Sequence, residues 1–269
     1  MRRYLLTIIL PLVVLLPARA QRTLVWSEEF DGEGQVDTSR WTFEHGFVRN
    51  KEYQWYQQDN ARQEDGCLVI EARWDSLAQH PITSASINTS RSFQFLYGQL
   101  EVRAKIPAVI GSWPAIWLLG TDTLDGRRIP WPSCGEIDVM EYYHIKGVPH
   151  ILANTAWGGN ERWKAVWNTQ TRPLSHFEER DPLWACRFHT WLMDWTPDDI
   201  RIYLDGELLN HTSLSRTVNG KMGGHRNPFH AAQYILLNLA IGGINGGEPR
   251  PQDFPLRYLV DYVRVYKNP

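Results

Sequence analysis

The sequence predicts an all-β protein built as a sandwich or jelly roll. Many short segments alternate between apolar and polar residues, as strands with one buried face do, and helical periodicity is nearly absent. Turns rich in Gly, Pro and Asn separate these segments. No internal repeat, linker or low-complexity stretch interrupts the pattern, so we expect one domain.

Besides an acidic segment treated below, the strand signal is carried by residues 67–74, 98–107, 188–195, 200–209, 234–241 and 259–266. In 98–107, apolar residues alternate with Gln99, Glu101, Arg103 and Lys105, which predicts one buried and one exposed face.

Two of these segments carry further information. Asp205-Gly206 in the middle of 200–209 predicts a tight hairpin turn, because both residues tolerate positive φ. Segment 234–241 is apolar at almost every position, so we expect a central strand that is covered on both sides.

Residues 1–20 are predicted to be a secretory signal peptide. Two arginines precede an apolar stretch at 4–16, and the small-x-small triplet Ala18-Arg19-Ala20 follows. The apolar stretch is too short, and too interrupted by proline, for a membrane span. We therefore expect a mature domain of residues 21–269, exported to the periplasm or the extracellular space.

Composition and charge argue against some classes of partner and favour others. Without residues 1–20 the formal charge is −5, which argues against a nucleic-acid partner. Cys67, Cys134 and Cys186 fit no metal-ligand spacing, and one disulfide with a free thiol or three buried thiols are both compatible with the sequence. All 13 tryptophans lie in the mature part, which favours a sugar ligand. A monomer is expected.

The segment "CGEIDVMEYY" places Glu136, Asp138 and Glu141 in an otherwise apolar strand. Side chains alternate along a strand, so Glu136 and Asp138 share a face and Glu141 would point away. A β-bulge near Val139-Met140 would absorb one residue and return Glu141 to that face. We therefore expect a bulge here, with Ile137 and Val139 in the core behind the acids.

Three neighbouring carboxylates raise one another's pKa, so one acid can stay protonated while another is ionised. Glycoside hydrolysis needs one protonated and one ionised carboxyl group. In a retaining enzyme these two groups lie only about 5–5.5 Å apart. Residues close together on one strand suit this spacing better than the wider inverting one. A solvated edge face and a calcium site are the alternatives that the acids alone leave open.

The chain resembles glycoside hydrolase family 16, the laminarinase and lichenase group, in its bulged Glu-x-Asp-x-x-Glu form. The acidic signature "GEIDVMEY" is flanked by further blocks similar to the family's, in the same order. They are "LVWSEEFDG", "NKEYQWYQQDNARQEDGCLVIEA", "YGQLEVRAKIP" with "GSWPAIWLLG", "FHTWLMDWTPDDIRIYLDG", "YILLNLAIGG" and "VDYVRVY". The resemblance implies a concanavalin-like β-jelly-roll of two antiparallel sheets, a concave substrate cleft, and retaining endo-hydrolysis of β-1,3- or mixed β-1,3/1,4-glucans.

The resemblance also implies roles for the acids. Glu136 would be the nucleophile and Glu141 the general acid and then base, while Asp138 would hydrogen-bond the nucleophile and help hold Glu141 protonated at rest. It implies no cofactor or metal for catalysis.

Further residues are implied to contact substrate. Trp113, Trp117 and Trp131 would form the floor and wall of the cleft on the non-reducing side, and Asn50 would reach sugar hydroxyls. Core packing of the tryptophans and a turn role for Asn50 are the alternatives.

A structural calcium away from the cleft is a further expectation of the resemblance. Asp261 and the Glu28-Glu29 region offer oxygen ligands for it.

Two positions depart from the family pattern. Ser86 stands where many relatives have an arginine, and Ala156 is the closest match to a histidine that precedes a Gly-Gly pair. Both positions are expected to touch substrate, and the loop 157–174 is expected to rebuild that end of the cleft. A galactan hydrolase of the agarase, porphyranase or carrageenase type and a non-catalytic carbohydrate-binding protein are the alternative functions.

Overall fold

Two β-sheets lie face to face in the computed structural model, which describes residues 22–267. The predicted signal peptide at 1–20 lies outside the described residues. In chain order the strands are β1 (Thr23–Glu28), β2 (Gly34–Gln35), β3 (Thr42–Phe43), β4 (Trp55–Tyr56), β5 (Ala61–Glu64), β6 (Cys67–Trp74), β7 (Ile82–Ser84), β8 (Ser86–Asn88), β9 (Gly98–Lys105), β10 (Ser112–Gly120), β11 (Thr123–Leu124), β12 (Arg127–Arg128), β13 (Glu136–Ile145), β14 (Val148–Gly158), β15 (Ala165–Pro173), β16 (His189–Trp195), β17 (Asp199–Leu204), β18 (Glu207–Ser213), β19 (Gln233–Ile241) and β20 (Leu256–Lys267).

The helices are single turns. They are α1 (Ser175–Glu178), α2 (Gly243–Gly246) and the 3₁₀ turns Gln58–Asn60, Trp184–Cys186, Leu214–Arg216, Lys221–Gly223, Pro228–His230 and Pro251–Asp253.

One sheet follows the order β18-β17-β16-β9-β20-β6-β5-β2, with β1 beside β20, and β7 between β6 and β4. The other follows β15-β14-β13-β10-β19-β8-β3, and β11 and β12 form a separate ribbon. Neighbouring strands are antiparallel except β4 and β7. The predicted β-sandwich is therefore confirmed, and many strands that are neighbours in space are distant in the chain.

The core lies between the two sheets and is built from alternate residues. Leu100, Val102 and Ala104 of β9 are fully buried there, together with Ile116 and Leu118 of β10. Each buried Leu, Ile or Val side chain contributes about 1.5–3 kcal/mol, so alternation fixes which face of each strand points inward.

The predicted hairpin and central strand are both present. Asp205 (φ 48°) and Gly206 (φ 85°) form the turn between β17 and β18. Strand β19 lies between β10 and β8 and has one face in the core. We expected a further layer over its other face, but there is none: Leu236 packs there with Ala115 and Trp117, beneath a cleft.

Candidate active site

A β-bulge in β13 brings the three acids to one face. Asp138 is opposite Asn154 of β14, while Glu141 is opposite Leu152, so two residues of β13 face one residue of β14. Pairing with β10 shifts by one residue at the same place. Val139 and Met140 are both buried in the core, so the predicted bulge is confirmed.

The acids line a cleft of about 690 Å³ on the outer face of the smaller sheet. Rows of residues cross the strands beneath it, and the row through Glu136 runs from Leu119 on β10 to Ala156 on β14. Substrate lying along such a row would cross β13 where the carboxylates stand.

Glu136 is half-buried and accepts a hydrogen bond on Oε2 from Trp131 Nε1, at 2.6 Å. Burial is the largest effect and raises the pKa of Glu136 above its usual range, while hydrogen bonds from Trp131 and Asp138 and the positive charge of Arg49 limit the rise. These donors favour an ionised Glu136.

Asp138 lies between Glu136 and Glu141 along β13, and its side chain is buried. Burial, and then the charges of Glu136 and Glu141, raise its pKa well above its usual range. Its Oδ2 atom receives no hydrogen bond from residues 22–267, which would be costly for an ionised carboxylate. The proton of the Glu136–Asp138 pair therefore belongs on Asp138, which donates to Glu136.

Glu141 accepts two hydrogen bonds, from Trp113 Nε1 at 2.7 Å and from Asn154 Nδ2 at 2.6 Å. Burial, with a smaller effect from the charge of Glu136, raises the pKa of Glu141 to about 7. A carboxyl group with this pKa is half-protonated at neutral pH, as a general acid and base requires.

Trp113 and Trp131 therefore contact the acids as well as the cleft, because each indole donates to one glutamate. Trp117 is 8% exposed, and its ring is covered by the Arg49 guanidinium, 5.0 Å from the ring centroid. Asn50 is exposed, lines the cleft and donates to Glu52 Oε1 at 3.2 Å. All four predicted substrate-contact residues thus border the same cleft as the acids.

Several cleft residues were not found from the sequence. Asn238 accepts a hydrogen bond from Trp117 Nε1 at 2.7 Å and donates to the Tyr56 hydroxyl at 3.1 Å. That hydroxyl donates to Glu52 Oε2 at 3.3 Å. Asn238 had a signal in the sequence, since it is a polar residue within the apolar strand 234–241.

The cleft continues on the other side of β13. Trp167 and Thr169 of the edge strand β15 line it, and Trp167 is 45% exposed. Trp167 is opposite Ala156, which is itself opposite Glu136. The expectation that 157–174 is a loop is wrong, because Ala165–Pro173 pairs with β14 as strand β15, but two residues of this strand do line one end of the cleft.

Residues 49–263 match the family model for glycosyl hydrolases family 16. The chain belongs to that family. A β-glucanase of Rhodothermus marinus is 34% identical over 91% of this chain and 85% of its own length. The X-ray structure of the laminarinase from Rhodothermus marinus aligns with a TM-score of 0.78 at 31% identity, covering 92% of this chain and 98% of that one.

Another structural neighbour comes from work on endo-acting O-glycanases that prominent members of the human gut microbiota express to initiate mucin breakdown. It aligns with a TM-score of 0.78 at 32% identity, over 94% of this chain and 92% of that one. Family membership makes this chain a glycoside hydrolase and confirms the resemblance drawn from the acidic signature.

The two departures from the family 16 pattern are both buried. Ser86 is fully buried and donates to Glu44 Oε2 at 2.6 Å, while Arg49 pairs with the other oxygen of Glu44. Ser86 therefore does not line the cleft itself; it contacts Glu44, which pairs with the cleft residue Arg49. Ala156 is also fully buried. Direct contact of these two side chains with substrate, as expected from the sequence, is wrong because neither has exposed surface.

The carboxylates named for a structural calcium each contact an arginine. Asp261 pairs with Arg103, Glu28 with Arg40 at 2.6 Å, and Glu29 with Arg264 at 2.7 Å. Within residues 22–267, no group of three or more His, Cys, Asp or Glu residues is arranged to hold a metal. A structural calcium stays a prediction.

The cysteines match neither pattern that the sequence left open. In the described part of the chain Cys67, Cys134 and Cys186 are all free, and only Cys134 is buried. Burial raises the pKa of the Cys134 thiol to about 11, so it stays protonated and unreactive.

Proposed function

We propose that this glycoside hydrolase cleaves internal bonds of β-1,3- or mixed β-1,3/1,4-glucans with retention of configuration. The observation that carries the proposal is the pair Glu136 and Glu141 on one face of a bulged strand, with hydrogen-bond donors that favour an ionised Glu136 and burial that raises the pKa of Glu141 to about 7. In this proposal Glu136 is the nucleophile and Glu141 the general acid and base.

In the first step, ionised Glu136 attacks the anomeric carbon and forms a glycosyl ester. Protonated Glu141 gives its proton to the departing glycosidic oxygen. In the second step, ionised Glu141 takes a proton from water, which attacks the same carbon and releases Glu136. Asp138 supports both steps because its proton stabilises negative charge on Glu136 whenever that carboxylate is free.

The bulge supports retention over inversion. Inverting enzymes keep the two carboxyl groups about 6.5–9.5 Å apart to hold a water between them, whereas retaining enzymes need about 5–5.5 Å. Glu136 and Glu141 stand on the same strand face with only Asp138 between them, and the charge of Glu136 contributes to the raised pKa of Glu141.

Internal cleavage is supported by a cleft that extends on both sides of β13. Asn50 and Trp113 border it on one side, and Trp167 borders it on the other. A polysaccharide can therefore run past the acids in both directions. The β-glucan substrate class is supported by the β-glucanase and laminarinase relatives reported above.

A reducing-sugar assay on laminarin, barley mixed-linkage glucan and agarose, with chromatography of the products, tests the proposal. We expect a ladder of oligosaccharides from laminarin, or from both glucans. Activity on agarose alone would move the substrate to a galactan. Binding without hydrolysis of any of them would contradict the proposed activity.

Export of the mature domain 21–269, as a monomer, belongs to the same proposal. Its support is the charge and apolar pattern of residues 1–20. Within residues 22–267 no helix is long and apolar enough to cross a bilayer. Mass spectrometry of the protein from a periplasmic or culture fraction should find Gln21 at the N-terminus; an intact N-terminus would contradict cleavage.

A further inference from the structure

Trp167 is a large aromatic side chain that remains 45% exposed although it borders the cleft. We propose that Trp167 forms an acceptor-side sugar platform, on which the apolar face of a leaving-group sugar stacks. The inference rests on the proposed retaining mechanism and extends it to the half of the substrate that departs in the first step.

The strand that carries Trp167 is fixed in orientation. Asn168, the next residue, points to the opposite face of β15 and donates to Asn210 Oδ1 at 3.0 Å and to Thr212 Oγ1 at 2.7 Å on β18. Because neighbouring side chains of a strand alternate, this anchor turns Trp167 and Thr169 toward the cleft. The platform is therefore held by an edge strand that is anchored to both β14 and β18.

Trp167 lies in the row that contains the proposed nucleophile. Glu136, Ala156 and Trp167 are successive cross-strand neighbours, so the backbone of Trp167 is two strand spacings, roughly 9.5 Å, from that of Glu136. At that distance the indole contacts a sugar further along the chain than the one under attack. Ala156, between them, is small and has no exposed surface, so its own side chain does not line the cleft.

The acceptor side is assigned from how each half of the cleft is built. The sugar bound to Glu136 must stay in place after the leaving group departs, so the donor half needs fixed polar contacts. The side with Asn50, Glu52 and Asn238 has such contacts. The Trp167 side is open, and a sugar can leave it or enter it while the ester persists.

An acceptor platform also bears on the second step. When a sugar hydroxyl replaces water, its oxygen attacks the anomeric carbon, its proton passes to Glu141, and the Glu136 carboxylate leaves. The products are a longer oligosaccharide and the free enzyme. Stacking on Trp167 would raise the local concentration of such an acceptor.

The experiment compares W167A and W167F with the unchanged enzyme on two substrates. Laminarin fills both halves of the cleft, whereas nitrophenyl β-laminaribioside carries sugar only in the donor half. For W167A we expect KM on laminarin to rise about 3- to 10-fold, and to rise less on the aryl glycoside, which places only its nitrophenyl ring on the acceptor side. W167F, which keeps an aromatic ring, should retain most of the affinity.

V166A is the matched control, because Val166 is exposed on the same strand at the neighbouring position. Added laminaritriose should yield fewer transfer products with W167A than with the unchanged enzyme. Equal losses on both substrates, or no loss on laminarin, would overturn the acceptor assignment. Failure of the unchanged enzyme to hydrolyse any β-glucan would instead overturn the proposed function.

Discussion

The two halves of the cleft, on either side of β13, are built differently. On the side of β10 and β19, buried polar groups satisfy one another in a chain from Trp117 through Asn238 and Tyr56 to Glu52. On the other side, beyond the buried Asn154 of β14, the cleft wall on β15 is an exposed tryptophan beside an exposed threonine. One half is preorganised, and the other makes its contacts when substrate arrives.

The difference follows from burial. Polar groups buried at the centre of the sheet are costly to leave without partners, since each unmade hydrogen bond costs about 1–3 kcal/mol. At the edge strand solvent satisfies polar groups, so an aromatic side chain can stand alone. Strand β13, between the two halves, carries the three acids. Substitutions in the acids and in each half test whether the two halves differ in this way.

The largest loss of activity should come from substituting the acids on β13, between the two halves. E136Q and E141Q should each lower kcat/KM on laminarin by about 10³-fold or more, because one loses the nucleophile and the other the proton donor. E33Q, at an exposed position, is the matched control and should behave as the unchanged enzyme. Near-full activity of either variant, with an unchanged melting temperature, would refute its assigned role.

A smaller effect is expected from breaking the preorganised half. N238L removes the acceptor of Trp117 and a donor to Tyr56, so the free energy of unfolding should fall by about 1–3 kcal/mol in a denaturant titration. Activity on nitrophenyl β-laminaribioside should fall too. T169V makes the corresponding change in the open half and should leave stability within about 0.5 kcal/mol. Equal effects of the two variants would show that the halves do not differ as described.

The smallest effect concerns pH. Activity requires protonated Glu141, so it should fall as pH rises through about 7, the pKa of that carboxyl. N154A removes a donor that favours ionised Glu141; its pKa then rises, and the basic limb of kcat/KM should move to higher pH. A limb that stays in place or moves to lower pH in N154A would assign that titration to another group.

The sequence predicted those features that depend on neighbouring residues in the chain. Alternation located the strands, and the offset from Asp138 to Glu141 located the bulge, because both reflect the two-residue period of a strand. What it could not predict depends on pairing between distant segments. The Ser86–Glu44–Arg49 contacts join residues 42 positions apart, and the covering of Trp117 by Arg49 follows from them.

The sequence also could not predict which of these side chains are exposed and which are buried. Nothing in "KAVWNTQT" distinguishes Trp167 from a core tryptophan; its place on an edge strand, with Asn168 anchored to β18, makes the difference. Likewise, the burial of Ser86 and Ala156 depends on layers packed against them rather than on their own residue types.

The most direct test of the account follows the anomeric configuration of the first product by proton NMR during hydrolysis of a laminarioligosaccharide. Two displacements at one carbon, by Glu136 and then by water, predict that the β-anomer appears first and that the α-anomer grows in later by mutarotation. Initial release of the α-anomer would mean a single displacement by water, which would contradict Glu136 as nucleophile.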